Sequence, residues 1–177
     1  QQLDNLQRFI GGQLAGTTPF YATKTHQPPE QEVVIDRVRM QWIETNAHYP
    51  GDSMIYFPDT AVIFAGDLVY VDRILGVLPQ SNVRKAQAAF RRLMALNSKH
   101  VVPGHGRVTD LAQAKREAGD YYDFLIANVG TAARNMDSIT ETLDKFAMPA
   151  QFVGLENFAD LHRANMNRVF VDFEANP

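Results

Sequence analysis

The chain has no cysteine, which excludes disulfide staples and thiolate metal sites, so any metal must be held by His, Asp or Glu. No apolar run approaches the roughly 18 residues of a membrane span, and the N-terminus lacks a basic-then-apolar signal pattern. Charge of one sign is not in excess either. The 17 Lys and Arg against 20 Asp and Glu leave a net charge of -3, with no broad electrostatic pull on nucleic acid or an anionic membrane. Repeats, low-complexity tracts and a Ser or Cys nucleophile in a recognisable elbow are also missing. What is there is ordinary for a soluble globular chain: 45% hydrophobic and 21% charged residues over 177 positions, enough to bury a sizeable core. The compartment stays open between cytoplasm and periplasm.

Three short stretches concentrate the chemistry. Ala47-His48-Tyr49-Pro50-Gly51-Asp52 sets a His before a Pro-Gly turn, and Ala61-Val62-Ile63-Phe64-Ala65-Gly66-Asp67 ends an apolar run on a carboxylate. Val101-Val102-Pro103-Gly104-His105-Gly106 then brackets a second His with glycines, which lets the backbone come close to a ligand. Singly, each residue reads first as a turn or cap residue. Together they place three metal-capable side chains at or just beyond strands, on loop ends that can converge on one sheet edge. Nitrogen and carboxylate donors suit zinc, with iron or manganese as alternatives because affinity alone does not select the metal.

In this order and with this local chemistry, the three stretches resemble the second half of the metallo-beta-lactamase fold. The resemblance implies that His48 is a ligand of a first metal, Asp67 the carboxylate bridging two metals and His105 a ligand of the second. Tyr49 stands where Thr is commoner, at a position that is not a ligand. It implies zinc as cofactor, one or two ions in the complete protein, and a metal-bound hydroxide that attacks an ester, amide, thioester or phosphoester. Residues 118–125 and 162–170 resemble the C-terminal helices of the branch associated with sulfur oxidation and quinoprotein systems. The implied fold class is α/β, the C-terminal half of an αββα sandwich with one mixed sheet and helices on one face.

One family signature is missing. The His-x-His-x-Asp-His run, which in the family supplies ligands to both metals and the Asp that orients the water, does not occur. The only His upstream of His48 is His26, in Lys24-Thr25-His26-Gln27-Pro28-Pro29. The expectation is the C-terminal part of a zinc-dependent hydrolase that contributes metal ligands but no catalytic residue, binds zinc weakly or not at all, and is inactive alone. Two other readings remain open: a binding or assembly module that retains the fold, and a metal-free acid–base pair of His105 and Asp67. The substrate is not legible.

Along the chain, a single domain in three zones is expected. Residues 1–30 are a helix tail (Leu3, Leu6, Phe9, Ile10) and a connecting loop, 31–107 a sheet with the metal-ligand loops, and 108–177 helices. From Val33 the pattern alternates, with Val38, Met40 and Trp42 on one side of a strand. Strands follow at Ser53 to Phe57, at Ala61 to Ala65 with both faces covered, and at His100 to Val102. Ser81 is expected to cap a helix with the stripe Val83, Ala86, Phe90, Leu93 and Met94. Later helices run from Leu111 to a stop at Gly130, from the capping box Ser138-Ile139-Thr140-Glu141, and from Asn157 with the stripe Phe158, Leu161, Asn165 and Val169. His100 and His162 read as structural. The strand Ala61 to Ala65 with Val38, Met40, Trp42, Met54 and Tyr56 forms an apolar face that needs a cover: the N-terminal segment, a missing N-terminal half, or a second copy in a homodimer.

Overall fold

A computed structural model of the chain describes residues 29–176 together with residues 8, 10–14, 16–18, 20 and 23. Most of the expected helix tail, and His26, lie outside the described residues. Five strands form one sheet in chain order: β1 (Glu30–Ile35), β2 (Val38–Glu44), β3 (Ser53–Phe57), β4 (Val62–Tyr70) and β5 (His100–His105). The first four are antiparallel neighbours and β5 joins β4 in parallel. A parallel neighbour needs a crossover, supplied by residues 71–99 with helix α1 (Val83–Ala95). Mixed sheet and helices together make the α/β architecture expected.

The alternation starting at Val33 conceals a hairpin. Asp36 and Arg37 both take positive φ, 50° and 69°, so the chain reverses there in two residues. Without a Gly at either position, the turn carries no obvious sequence signal.

Cross-strand partners share a face, so the register sorts the side chains. Ile43 pairs with Met54, and Tyr56, Ile63 and Val101 form a second row; Ile43, Met54, Ile63, Ala65 and Val101 are buried on this side. Trp42, Ile55, Phe64 and Val102 make a row across four strands on the opposite side. That row is only half-buried, and Phe64 and Val38 are 48% and 47% exposed. Two expectations are thereby corrected. Ala61 to Ala65 does not have both faces covered, because Phe64 points away from the core while Ile63 and Ala65 point into it. Met54 and Tyr56 belong to the buried side, not to the open face with Val38, Met40 and Trp42.

Asn82, not Ser81, caps α1 by accepting the Lys85 N–H at 2.9 Å. Ser81 is used elsewhere, as described below. Helix α2 (residues 111–134) is continuous through Gly130, with Lys115–Gly119 and Leu125–Gly130 wound as π-helix. A Cβ on Gly130 would come within 2.5 Å of the Phe173 ring, so this glycine permits helix packing rather than ending the helix. Helix α3 (Ile139–Lys145) starts on the expected Ser138 cap, which accepts the Glu141 N–H.

Helix α4 (Phe158–Ala175) inserts a polar group into the core. Asn165, fully buried, accepts the Val77 N–H at 2.8 Å and donates to the Leu75 carbonyl at 2.7 Å and to the Tyr121 hydroxyl at 3.2 Å. Tyr121 in turn meets His162 Nδ1 at 2.8 Å, and His162 Nε2 lies 3.0 Å from the Phe146 carbonyl. A carbonyl only accepts, so Nε2 carries the proton and Nδ1 accepts from Tyr121. These bonds fasten α4 and α2 to the segment leaving β4.

Burial pushes the His162 imidazole below its ordinary value, against the opposing pull of the Phe146 carbonyl. Stability from a neutral buried His is full above the unfolded pKa of about 6.5 and is lost as pH falls through the lower folded value. The thermal midpoint should therefore drop below about pH 6.5 more steeply in the wild type than in His162→Gln. Parallel midpoint-versus-pH curves for the two proteins would contradict the assignment.

Candidate metal centre

His48 sits in a turn wound around Asp52. The Asp52 carbonyl accepts the Thr45 N–H at 2.8 Å, and its carboxylate accepts the N–H groups of His48 at 3.2 Å and Ser53 at 3.1 Å. From the other side Ser81 Oγ donates to the His48 carbonyl at 2.7 Å, and the Asn82 N–H to the Ala47 carbonyl at 2.7 Å. The start of α1 thus fixes the backbone that presents His48. Pro50-Gly51-Asp52 signalled the turn, but nothing local pointed to Ser81, whose partner is 33 residues away.

Asp67 lies within a strand, not on a loop after one. Strand β4 continues to Tyr70, with register breaks on both sides of Gly66, whose φ is +53°. The bulge re-aims the Asp67 carboxylate. Strand β5 comes so close at this point that a Cβ on Gly104 would fall 2.1 Å from Asp67 Oδ1 and 2.7 Å from the Gly66 carbonyl carbon. His105 ends β5 opposite Tyr70, and its carbonyl accepts the Val71 N–H at 3.0 Å.

The three expected residues converge. His48 Nε2 is 3.4 Å from Asp67 Oδ2, and His105 Nε2 is 3.5 Å from Asp67 Oδ1. Each imidazole faces its own oxygen of one carboxylate. Zinc–ligand distances of about 2.0–2.1 Å put neighbouring tetrahedral ligands roughly 3.3–3.4 Å apart, so each His–Asp pair has the spacing of one edge of a zinc coordination sphere. The donors form two pairs, however. Among the described residues no group of three or more His, Cys, Asp or Glu side chains could hold a metal ion. The fit to zinc is therefore good per edge and incomplete per site. His100, exposed at the other end of β5 opposite Val62, and His162, in the buried network, are not part of this cluster.

Aromatic and charged residues missed in the sequence surround it. The buried Tyr70 ring lies 4.4 Å from the His105 ring and 6.2 Å from that of His48. Burial and the nearby Asp67 carboxylate push its hydroxyl up to about 12, with Arg73 pulling the other way. Tyr122, beneath the strand, donates to the Leu68 carbonyl at 3.0 Å. Beyond β4, Asp72 takes φ +66° and its N–H donates to Glu117 at 2.6 Å. Arg107 pairs with Asp72 at 3.1 Å, tying the loops that follow β4 and β5 together on either side of His105.

Family and fold comparisons agree with the sheet-and-helix architecture. The family model described as the metallo-beta-lactamase superfamily covers residues 6–105. No curated protein matches the chain. Among solved structures, the chain is similar to a metallo-beta-lactamase from Pontibacter korlensis at 18% identity and TM-score 0.53, covering 68% of this chain and 62% of that one. It is also similar to the stereoselective inverting sec-alkylsulfatase Pisa1 from Pseudomonas sp. at 15% identity and TM-score 0.64, covering 86% and 26% respectively. A metallo-beta-lactamase family protein from Thermus thermophilus matches at 14% identity and TM-score 0.54, covering 84% and 48%. The chain thus spans less than two thirds of each of these proteins.

Substituting Gly104→Ala should displace the Asp67 carboxylate or the strand that carries it, at a cost of about 1–3 kcal/mol. Chemical denaturation with near-ultraviolet circular dichroism around Tyr70 would test this. An unchanged midpoint and spectrum would show that β4 and β5 are not held this close.

Proposed function

The chain belongs to the metallo-beta-lactamase superfamily, and from that membership we propose that it is the C-terminal part of a zinc-dependent hydrolase. In this reading His48 ligates one metal, His105 a second, and Asp67 bridges them. The observation that carries it is the Asp67 carboxylate offering its two oxygens to two imidazoles at 3.4 and 3.5 Å. Zinc bound there would polarise a scissile bond and bring a bound water's pKa toward neutrality. The chain's own part is to hold both imidazoles and the carboxylate in register, through the Asp52 turn, the Gly66 bulge and the close Gly104 approach. A catalytic zinc takes three protein ligands and an open position, whereas each edge here supplies two donors. The remaining donors come from elsewhere in the complete protein, and this chain alone does not turn over substrate.

The missing third donors also favour a second reading, a binding or assembly module that keeps the fold without the chemistry. Calorimetric zinc titration separates the two. The hydrolase reading expects binding weaker than micromolar that His48→Ala and Asp67→Asn each reduce further, and iron or manganese as competitors. Submicromolar binding unaffected by either substitution would remove these residues from the metal site.

The open face of the sheet bears on partners. Trp42, Ile55, Phe64 and Val102, with Val38 and Met40 beside them, form a continuous apolar strip across four strands. A strip of this kind is covered in a soluble assembly. We assign its cover to the missing N-terminal half in the complete protein and, for this chain alone, to a second copy related by a two-fold axis. Sedimentation velocity should show a dimer that Phe64→Glu dissociates. A monomer persisting at high micromolar concentration would rule the homodimer out.

A further inference from the structure

The sheet has an unguarded rim. Among the described residues β1 pairs only with β2, so its outer side carries no neighbouring strand. Antiparallel partners alternate between pairs that exchange backbone hydrogen bonds and pairs that do not. The Glu44 N–H donates to the Pro29 carbonyl at 2.9 Å. Counting on from there, the unbroken register makes Val33 with Met40 and Ile35 with Val38 bonded pairs. The backbone N–H and carbonyl groups of Glu32 and Val34 therefore point outward, away from β2. Native edge strands are blunted by Pro, Lys, a bulge or a covering element. β1 reads Glu-Gln-Glu-Val-Val-Ile with no bulge, and leaves Val34 and Ile35 62% and 55% exposed.

A second copy of β1 fits this edge in one register. Outward groups can bond only to outward groups, so an antiparallel copy must set even-numbered residues against even-numbered ones, and two such registers overlap the strand equally well. One sets Glu32 against the partner's Glu32, and like charges directly opposite are destabilising. The other sets Val33 against the partner's Val33 and Glu32 against the partner's Val34, with no acidic pair. Val33 shares a face with Met40, and Ile35 with Val38. This second register thus also carries the apolar strip of the open face from one copy into the next. We propose that the outer edge of β1 is a self-association surface, at which two copies of the chain pair antiparallel about a two-fold axis beside Val33 and join their sheets into one. The contact is separate from the metal reading and from the cover of the open face, because it uses rim groups that stay open whichever partner lies on that face. A few backbone hydrogen bonds make it weaker than burial of an apolar face, so trapping rather than sedimentation reads it.

The chain has no cysteine, so an introduced one reports pairing without interference. Antiparallel partners that do not exchange hydrogen bonds have Cα atoms about 4.5 Å apart, within reach of a disulfide. The test uses the full chain carrying Phe64→Glu, which removes the open-face contact, with Val33→Cys, Glu32→Cys or Val34→Cys added singly. Covalent dimer formed under a mild oxidant is read on non-reducing gels. Val33→Cys should cross-link roughly tenfold faster than either neighbour, whose side chains point to the other face and away from their own copy. Adding Val34→Pro, which removes an outward N–H without touching the bonds to β2, should slow the Val33→Cys cross-link to the neighbours' rate, and Val34→Lys should slow it as well. Amide hydrogen exchange of the cysteine-free chain is the second measurement: Glu32 and Val34 should gain protection as concentration rises, and Val33, bonded to Met40, should not. Fastest cross-linking at Glu32→Cys, equal rates at the three positions, rates unmoved by both Val34 substitutions, or exchange independent of concentration overturns the proposal. Because Phe64→Glu is present throughout the cross-linking, a failed open-face dimer in sedimentation leaves this result standing, and the reverse holds too.

Discussion

The close approach of β4 and β5 at Gly66 and Gly104 is the constraint on which the centre depends. Two parallel strands with ordinary side chains at this crossing could not bring a strand-borne carboxylate between two imidazoles. The space a Cβ of Gly104 would need is already taken by Asp67 Oδ1, 2.1 Å away. The positive φ of Gly66 supplies the accompanying twist, and together they turn an interior strand position into the middle of a metal-sized cluster. Loops then need only deliver one His on each side, which the Asp52 turn and the end of β5 do.

The same edge is fastened from behind by polar groups in the core. Asn165 satisfies the backbone at Leu75 and Val77, and Ser81 and Asn82 reach back to His48 and Ala47. One connecting segment, residues 71–82, therefore touches the helical core at one end and the His48 turn at the other. Its hydrogen bonds couple packing of α4 to the position of His48, tens of residues away. Buried polar ties of this sort specify one arrangement only while every partner is present, and the Tyr121, His162 and Phe146 chain completes the set.

The residues that announced the site did so through backbone chemistry. Pro50-Gly51, Gly66 and Pro103-Gly104-His105-Gly106 mark places where the chain must turn or pack closely, and such demands are written locally. Features that arise from pairing distant segments were not legible. The Asp36-Arg37 hairpin needs two positive φ angles that no Gly advertised. Phe64 sits in an uninterrupted apolar run, so its outward direction follows from pairing with Ile55 and Val102 rather than from any alternation in hydrophobicity. Asn82 rather than Ser81 became the α1 cap because Ser81 had a partner in the His48 turn. Tyr70 carried no local signal, and only the fold sets it against His105.

In the proposed reading the two-donor edges and the open apolar face are linked thermodynamically. In that reading a partner supplying further metal donors has to reach the edge of the sheet at which His48, Asp67 and His105 meet. Burial of that face contributes roughly 25 cal/mol per Å² of apolar surface and holds donors at high effective concentration. By linkage, a partner that raises metal affinity must itself be bound more tightly in the presence of metal, by the same factor. In the proposed reading, folding, assembly and metal loading are one coupled equilibrium. In the proposed reading the chain holds one His for each metal and the shared carboxylate, and the segment that covers the sheet supplies the remaining donors.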